Sequence, residues 1–256
     1  MKLRETRDLI SNWIKTYAEK NNIQTLVVGV SGGIDSALTS TLCALTGLKT
    51  IVLSMSIHQK KKEMNNIKTH VDWLLKSYQM IEFKTIDLTR IFEQYKSIIP
   101  LQFQSELSLA NSRARLRMTT LYQIAGSTNG LVIGTGNKIE DFGIGFFTKY
   151  GDGGVDISPI ADLQKSEVRE LAKFCNIHND ILNAPPTDGL WDDGRSDEDQ
   201  IGATYIELEW AMNYKKKSKL TKREEEVLKL YTNLNNKNKH KILPIPICKI
   251  PNNLRN

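Results

Sequence analysis

Cysteine, histidine and aromatic residues are scarce in this chain. Its 256 residues include three cysteines, Cys43, Cys175 and Cys248, far apart and odd in number. That excludes a disulfide framework and a local metal knuckle. His58, His70 and His178 show no ligand spacing and are expected to be surface or hydrogen-bonded residues. Long apolar runs are missing too. None approaches the roughly 20 residues of a membrane-spanning helix. The start, Met1–Glu5, runs straight into an amphipathic pattern without the apolar stretch of a secretory leader. These absences predict a cytoplasmic protein with no membrane partner. Aromatics make up 7% of the chain and do not interleave with its short lysine runs, 60–62 and 215–217. The base-stacking pattern of a nucleic-acid binder is therefore absent, and the net charge of +6 is read as suited to a small, phosphate-rich substrate.

What is present is an alternation of strand and helix patterns. Leu3–Asn21 has apolar residues at helical spacing. The apolar, β-branched run Thr25–Val30 reads as a strand covered on both faces. Further helices are expected over 35–46, 63–78 and 107–125, and further strands over 50–55, 82–87 and 130–134. This order predicts an α/β fold, a doubly wound parallel sheet with flanking helices. After Gly134 the texture changes. Residues 143–159 are rich in glycine, and a helix is expected over 166–175. Asn183–Gly194 is a polar loop of the kind that closes over a reaction. Capping signals at Ser196 and Thr221 predict helices to Tyr214 and to about Leu234, and the proline-containing tail from Ile242 reads as extended. A single domain over 1–256 with a helical C-terminal part is the simplest organisation.

The sharpest chemical signal is Gly29-Val30-Ser31-Gly32-Gly33-Ile34-Asp35-Ser36, between a buried strand and a helix start. Paired glycines allow close backbone approach, and the helix N-terminus adds positive potential, so the segment is an anion cradle. It is neither a Walker A loop, lacking Gly-Lys-Ser/Thr, nor a G-x-G-x-x-G dinucleotide turn. A carboxylate at Asp35, beside an anion, makes sense if a hard cation bridges it to phosphate oxygens, which implies Mg²⁺. Thr135 follows the strand that ends near Ile133, at the edge where open α/β sheets bind ligands, and is a candidate ligand-binding residue. Glu140, a few residues on, is a candidate second Mg²⁺ ligand. Arg113 and Arg117 share a helix face at i, i+4 and are expected to be solvated, while Arg115 points elsewhere.

The octapeptide resembles the pyrophosphate loop of the N-type ATP pyrophosphatases, which split ATP into AMP and pyrophosphate. Asn111-Ser-Arg-Ala-Arg-Leu-Arg-Met118, Gly134-Thr-Gly-Asn-Lys-Ile-Glu140 and Phe147-Thr-Lys-Tyr-Gly-Asp-Gly-Gly-Val-Asp156 resemble segments of one branch, the ammonia-dependent NAD synthetases. The resemblance spans about residues 4–251. It implies an adenine nucleotide alpha-hydrolase-like fold and a homodimer. It also implies a ligase that amidates deamido-NAD with ammonia through an adenylate formed from ATP. By resemblance, Lys165 and Thr187 join the octapeptide and Thr135 at ATP. Arg115, Lys149, Asp156, His240 and Lys241 contact deamido-NAD, with Lys149 suited to the nicotinate carboxylate by charge. No covalent nucleophile and no glutaminase domain is expected. Leu53–Gln59 departs from the family pattern, as do Gln200 and Ile242. The rival readings are a tRNA-modifying ATP pyrophosphatase, whose thiolating members commonly need paired cysteines, and a non-catalytic nucleotide-binding module, which would not need Asp35 and Glu140 together.

Overall fold

A computed structural model describes residues 1–59, 61–184, 186, 196–215 and 219–255. Four strands, β1 (Thr25–Gly29), β2 (Lys49–Ser56), β3 (Ile81–Asp87) and β4 (Gly130–Val132), form a parallel sheet in the order β3-β2-β1-β4. The chain winds outward from β1 to β3 and then returns to the other side of β1. The order therefore reverses between β1 and β4, and the crevice beyond their carboxyl ends is where such sheets take ligands.

The helices are α1 (Leu3–Lys20), α2 (Ile34–Leu45), α3 (Lys61–Ser77), α4 (Thr89–Ile98), α5 (Glu106–Ser127) and α6 (Lys165–Phe174). Four more follow: α7 (Asn179–Leu182), α8 (Asp197–Ile201), α9 (Tyr205–Asn213) and α10 (Lys222–Ile242). Strand β1 shows why two faces are needed. Leu26 and Val28 pack with Ile14, Leu38, Leu42 and Leu171 on one side of the sheet. Val27, alternating between them, packs with Leu53, Phe92 and Ala125 on the other. Full burial of each aliphatic side chain is worth about 1.5–3 kcal/mol. A third cluster joins α9 and α10 to a short π-helix, Ile139–Ile144, through Ile139, Ile144, Tyr205, Leu208 and Val227.

The doubly wound parallel sheet is as expected, but several elements differ. Helix α4 lies outside the expected elements; of its apolar side chains Phe92 is buried, while Ile91 and Ile98 are exposed. The helix expected from Ser196 to Tyr214 is two helices, because Gly202 adopts φ +87° and ends the first. The last helix continues past Leu234 to Ile242, so His240 and Lys241 lie in its final turn. Most of the polar loop 183–194, with Thr187, lies outside the described residues. Among the described residues, no helix is long and apolar enough to cross a membrane.

Candidate functional site

The octapeptide forms the turn between β1 and α2. Gly32 has φ +86°, and a Cβ there would lie 2.8 Å from the carbonyl oxygen of Glu63, so only glycine fits. The two serines organise the loop. Ser36 Oγ accepts from Ser31 N at 3.1 Å and donates to Gly33 O at 3.1 Å. Ser31 Oγ accepts from Gly33 N at 3.3 Å. Gly33 is the N-cap of α2 and makes no side-chain cap, so the helix start remains open to an anion. Gln59 and Asn66 brace the outer side of the loop by donating to the carbonyls of Ser31 and Gly32.

Asp35, in the first turn of α2, faces Asn137 and Glu140, which follow β4, and Lys165, which opens α6. Lys165 Nζ donates to Asp35 Oδ2 at 2.6 Å and to Glu140 Oε1 at 3.0 Å. A lysine that is only 3% exposed thus bridges the two carboxylates. Burial alone would lower its pKa, but Asp35 and Glu140 outweigh that effect and hold it above the usual lysine value. Asn137, fully buried, donates to Asp35 Oδ1 at 3.1 Å and accepts from the backbone N–H groups of Ile139 and Glu140. Two carboxylates converging on one cationic group are the oxygen donors a hard divalent ion takes, so the residues fit Mg²⁺. Thr135 lies just beyond β4, on the same edge of the sheet.

A second centre lies along the glycine-rich loop. A cavity of about 280 Å³ is lined by Gly134, Phe147, Lys149, Tyr150, Lys241 and Leu243, among others. Lys149 Nζ donates to the carbonyl of His240 at 2.9 Å, and Lys241 Nζ to that of Phe147 at 2.7 Å, tying the end of α10 to this loop. Arg115 reaches over from α5 and donates through Nε and Nη2 to the carbonyl of Lys149, each at 3.3 Å. The structure therefore brings Arg115, Lys149, His240 and Lys241 together. Asp156 stands apart. Its carboxylate accepts from Val132 N at 2.7 Å and from Tyr122 Oη at 3.0 Å, which secures β4.

Arg113 and Arg117 do not form the solvated face expected of them. Arg117 Nε donates to the carbonyl of Met55 at 3.0 Å, and Arg113 lies over the Phe92 ring at 5.3 Å. Residues missed in the sequence are Asn137, whose role needs the fold to bring Asp35 to it, and Tyr205. The buried thiols of Cys43 and Cys175 are both pushed up by burial, the latter to about 11.

The model of the NAD synthase family matches residues 7–244. An NH(3)-dependent NAD(+) synthetase of Methanococcoides burtonii is 40% identical over 209 residues, 80% of this chain and 77% of that protein. A solved structure of NMN synthetase from Francisella tularensis superposes with a TM-score of 0.87. It is 32% identical, with 98% of this chain and 99% of that one covered. NH3-dependent NAD synthetase from Campylobacter jejuni superposes at 0.75, with 28% identity and coverage of 97% and 100%.

Proposed function

The chain belongs to the NAD synthase family, and on that premise we propose that it amidates deamido-NAD with ammonia at the expense of ATP. The observation that carries the reading is the joining of Asp35, Glu140 and Lys165 at the mouth of an anion cradle, beside a cavity edged by Lys149 and Lys241. Triphosphate would lie on the loop 29–36, with Lys165 and Thr187 at the phosphates and Thr135 at the adenosine. Asp35 and Glu140 would hold Mg²⁺, which supplies charge neutralisation on the pyrophosphate leaving group. Arg115, Lys149 and the end of α10 would hold the nicotinate nucleotide.

The nicotinate carboxylate attacks the α-phosphorus, the bond to pyrophosphate breaks, and an acyl-adenylate forms. Ammonia then attacks the activated carbonyl and AMP leaves with the carbonyl–oxygen bond pair. The chain's residues bind, orient and stabilise charge; no covalent intermediate on the protein is involved. Asp156 would act on the nucleotide only indirectly, through the β4 edge. We place the enzyme in the cytoplasm as a single synthetase domain that works as a homodimer. Ile91, Ile98, Leu101, Phe103 and Leu107 form an exposed apolar run along α4 and the start of α5, with Ile98 75% and Leu101 85% exposed, suited to burial against a second copy.

One observation favours a second acceptor, the deamidated mononucleotide: the Francisella tularensis NMN synthetase superposes over nearly the whole of both chains. The test supplies ammonium and Mg-ATP with each deamidated nucleotide in turn, with a tRNA control, and measures AMP and amide product. The reading expects AMP and NAD in equal amounts from deamido-NAD. Turnover of the mononucleotide alone would assign the second acceptor, and AMP formation only with tRNA would overturn both. Arg115→Ala is expected to raise KM for the nicotinate nucleotide roughly ten- to a hundredfold, and KM for ATP far less.

A further inference from the structure

We propose that Tyr205 is a positioning residue that aims Glu140 at the cation site, an inference that rests on the assignment of Asp35 and Glu140 as metal ligands. Tyr205 opens α9 and is only 1% exposed. Its place is fixed from both sides. Thr204 and Glu207 make a capping box around it, and its backbone N–H donates to Glu198 Oε1 at 2.9 Å. Its ring packs in the third core cluster beside Ile139 and Leu208. Phenylalanine would fill that space equally well, so the hydroxyl must be explained separately.

The hydroxyl donates to Glu140 Oε1 at 2.5 Å and lies 3.3 Å from Asp197 Oδ2. With one proton to give, it serves Glu140 first, and Asp197 is the longer arm. Lys165 Nζ bonds the same Glu140 oxygen and lies 4.7 Å from the centre of the Tyr205 ring. Two donors thus pin Glu140 through one oxygen. Glu140 sits in a short π-helix, and the hydrogen bonds that support its carboxylate come from outside that helix. Tyr205 supplies that support from another element, across 65 residues of sequence. Through it, helix α9 is joined to the phosphate loop by the chain Tyr205, Glu140, Lys165, Asp35.

The test is binding of Mn²⁺, read by electron paramagnetic resonance, to the purified full chain with a non-hydrolysable ATP analogue. Measurement in the cold keeps any lowered melting temperature out of the result. Tyr205→Phe is expected to weaken Mn²⁺ binding about tenfold, in the range typical of lost outer-shell partners, with KM for the nicotinate nucleotide unchanged. If Tyr205 acts through Glu140, then Tyr205→Phe adds no further loss in a Glu140→Gln background. Wild-type Mn²⁺ affinity in Tyr205→Phe, or additive losses in the double variant, would overturn the proposal while leaving the metal ligands in place. Full Mn²⁺ affinity in Glu140→Gln alone would instead remove the metal assignment, and this inference with it.

Discussion

Asn137 holds Asp35 with a hydrogen bond of 3.1 Å that spans 102 residues of sequence. The same side chain takes the N–H groups of Ile139 and Glu140 on its oxygen, so one amide orients both proposed metal ligands. Asn137→Ala would leave those two N–H groups without their acceptor in a buried site. Each such loss costs about 1–3 kcal/mol. The expected outcome is a lower unfolding midpoint in urea together with a higher Mg²⁺ concentration for half-maximal turnover. A stability loss with an unchanged Mg²⁺ curve would confine Asn137 to a structural role.

Lys165 occupies the position between Asp35 and Glu140 that a divalent ion would share. Lys165→Met removes the buried cation and leaves two carboxylates facing each other. Breaking a buried pair costs about 3–5 kcal/mol; the carboxylates are partly solvated, which favours the lower end. Mg²⁺ binding to the folded state would offset part of that loss by mass action. Melting curves with and without Mg²⁺ are therefore expected to differ more for the variant than for the wild type. An equal shift in both would show that the ion does not enter between these carboxylates.

The contrast between Asp35 and Tyr205 explains what was legible in the sequence. Asp35 belongs to a local device, a strand, a glycine turn and a helix start, and each part leaves a mark within eight residues. The alternating strand and helix patterns likewise gave the sheet and its flanking helices. Tyr205, Asn137 and Arg117 work through partners 65, 102 and 62 residues away, and no local spacing encodes that. The end of α10 was missed for a related reason. Its last turns are polar and carry no apolar periodicity. They are held by Asn235 and Asn238, which donate to the carbonyls of Gly143 and Ile144. Thr187 belongs to the loop outside the described residues, and its place at ATP stands as a proposal.

Gly32 and Gly33 are adjacent, but only one of them is irreplaceable. At Gly32 the positive φ and the Glu63 carbonyl at 2.8 Å both oppose a side chain, and the opposing atom is backbone. At Gly33 φ is −91°, and the nearest obstacle is Ser31 Oγ at 3.3 Å. Gly32→Ala is expected to cost at least about 1–2 kcal/mol from the left-handed backbone alone and to raise KM for ATP by displacing the loop from α3. Gly33→Ala is expected to do clearly less in both assays. Equal effects would mean that backbone conformation does not shape the cradle.

His70 makes stability depend on pH without belonging to the site. It is 3% exposed, its Nε2 lies 2.8 Å from Ser40 Oγ, and its Nδ1 has no hydrogen-bond partner among the described residues. Ser40 directs its own proton to the carbonyl of Ala37, so Nε2 is assigned as the donor and Nδ1 carries the lone pair. Burial lowers the pKa from 6.5 to about 4. Well above pH 6.5 the ring is neutral in both folded and unfolded chains, and this contribution is fully present. As pH falls from 6.5 towards 4, the unfolded chain takes up a proton that the folded one refuses, so stability is lost. Between pH 6.5 and pH 5 that amounts to about 1.5 kcal/mol. His70→Gln removes the titrating ring and is expected to lose less stability over that interval, whatever its stability at pH 7. Urea unfolding of both proteins at the two pH values makes the comparison, because carboxylates that titrate in this range are common to both. Parallel losses would show that His70 is protonated in the folded chain as readily as in the unfolded one.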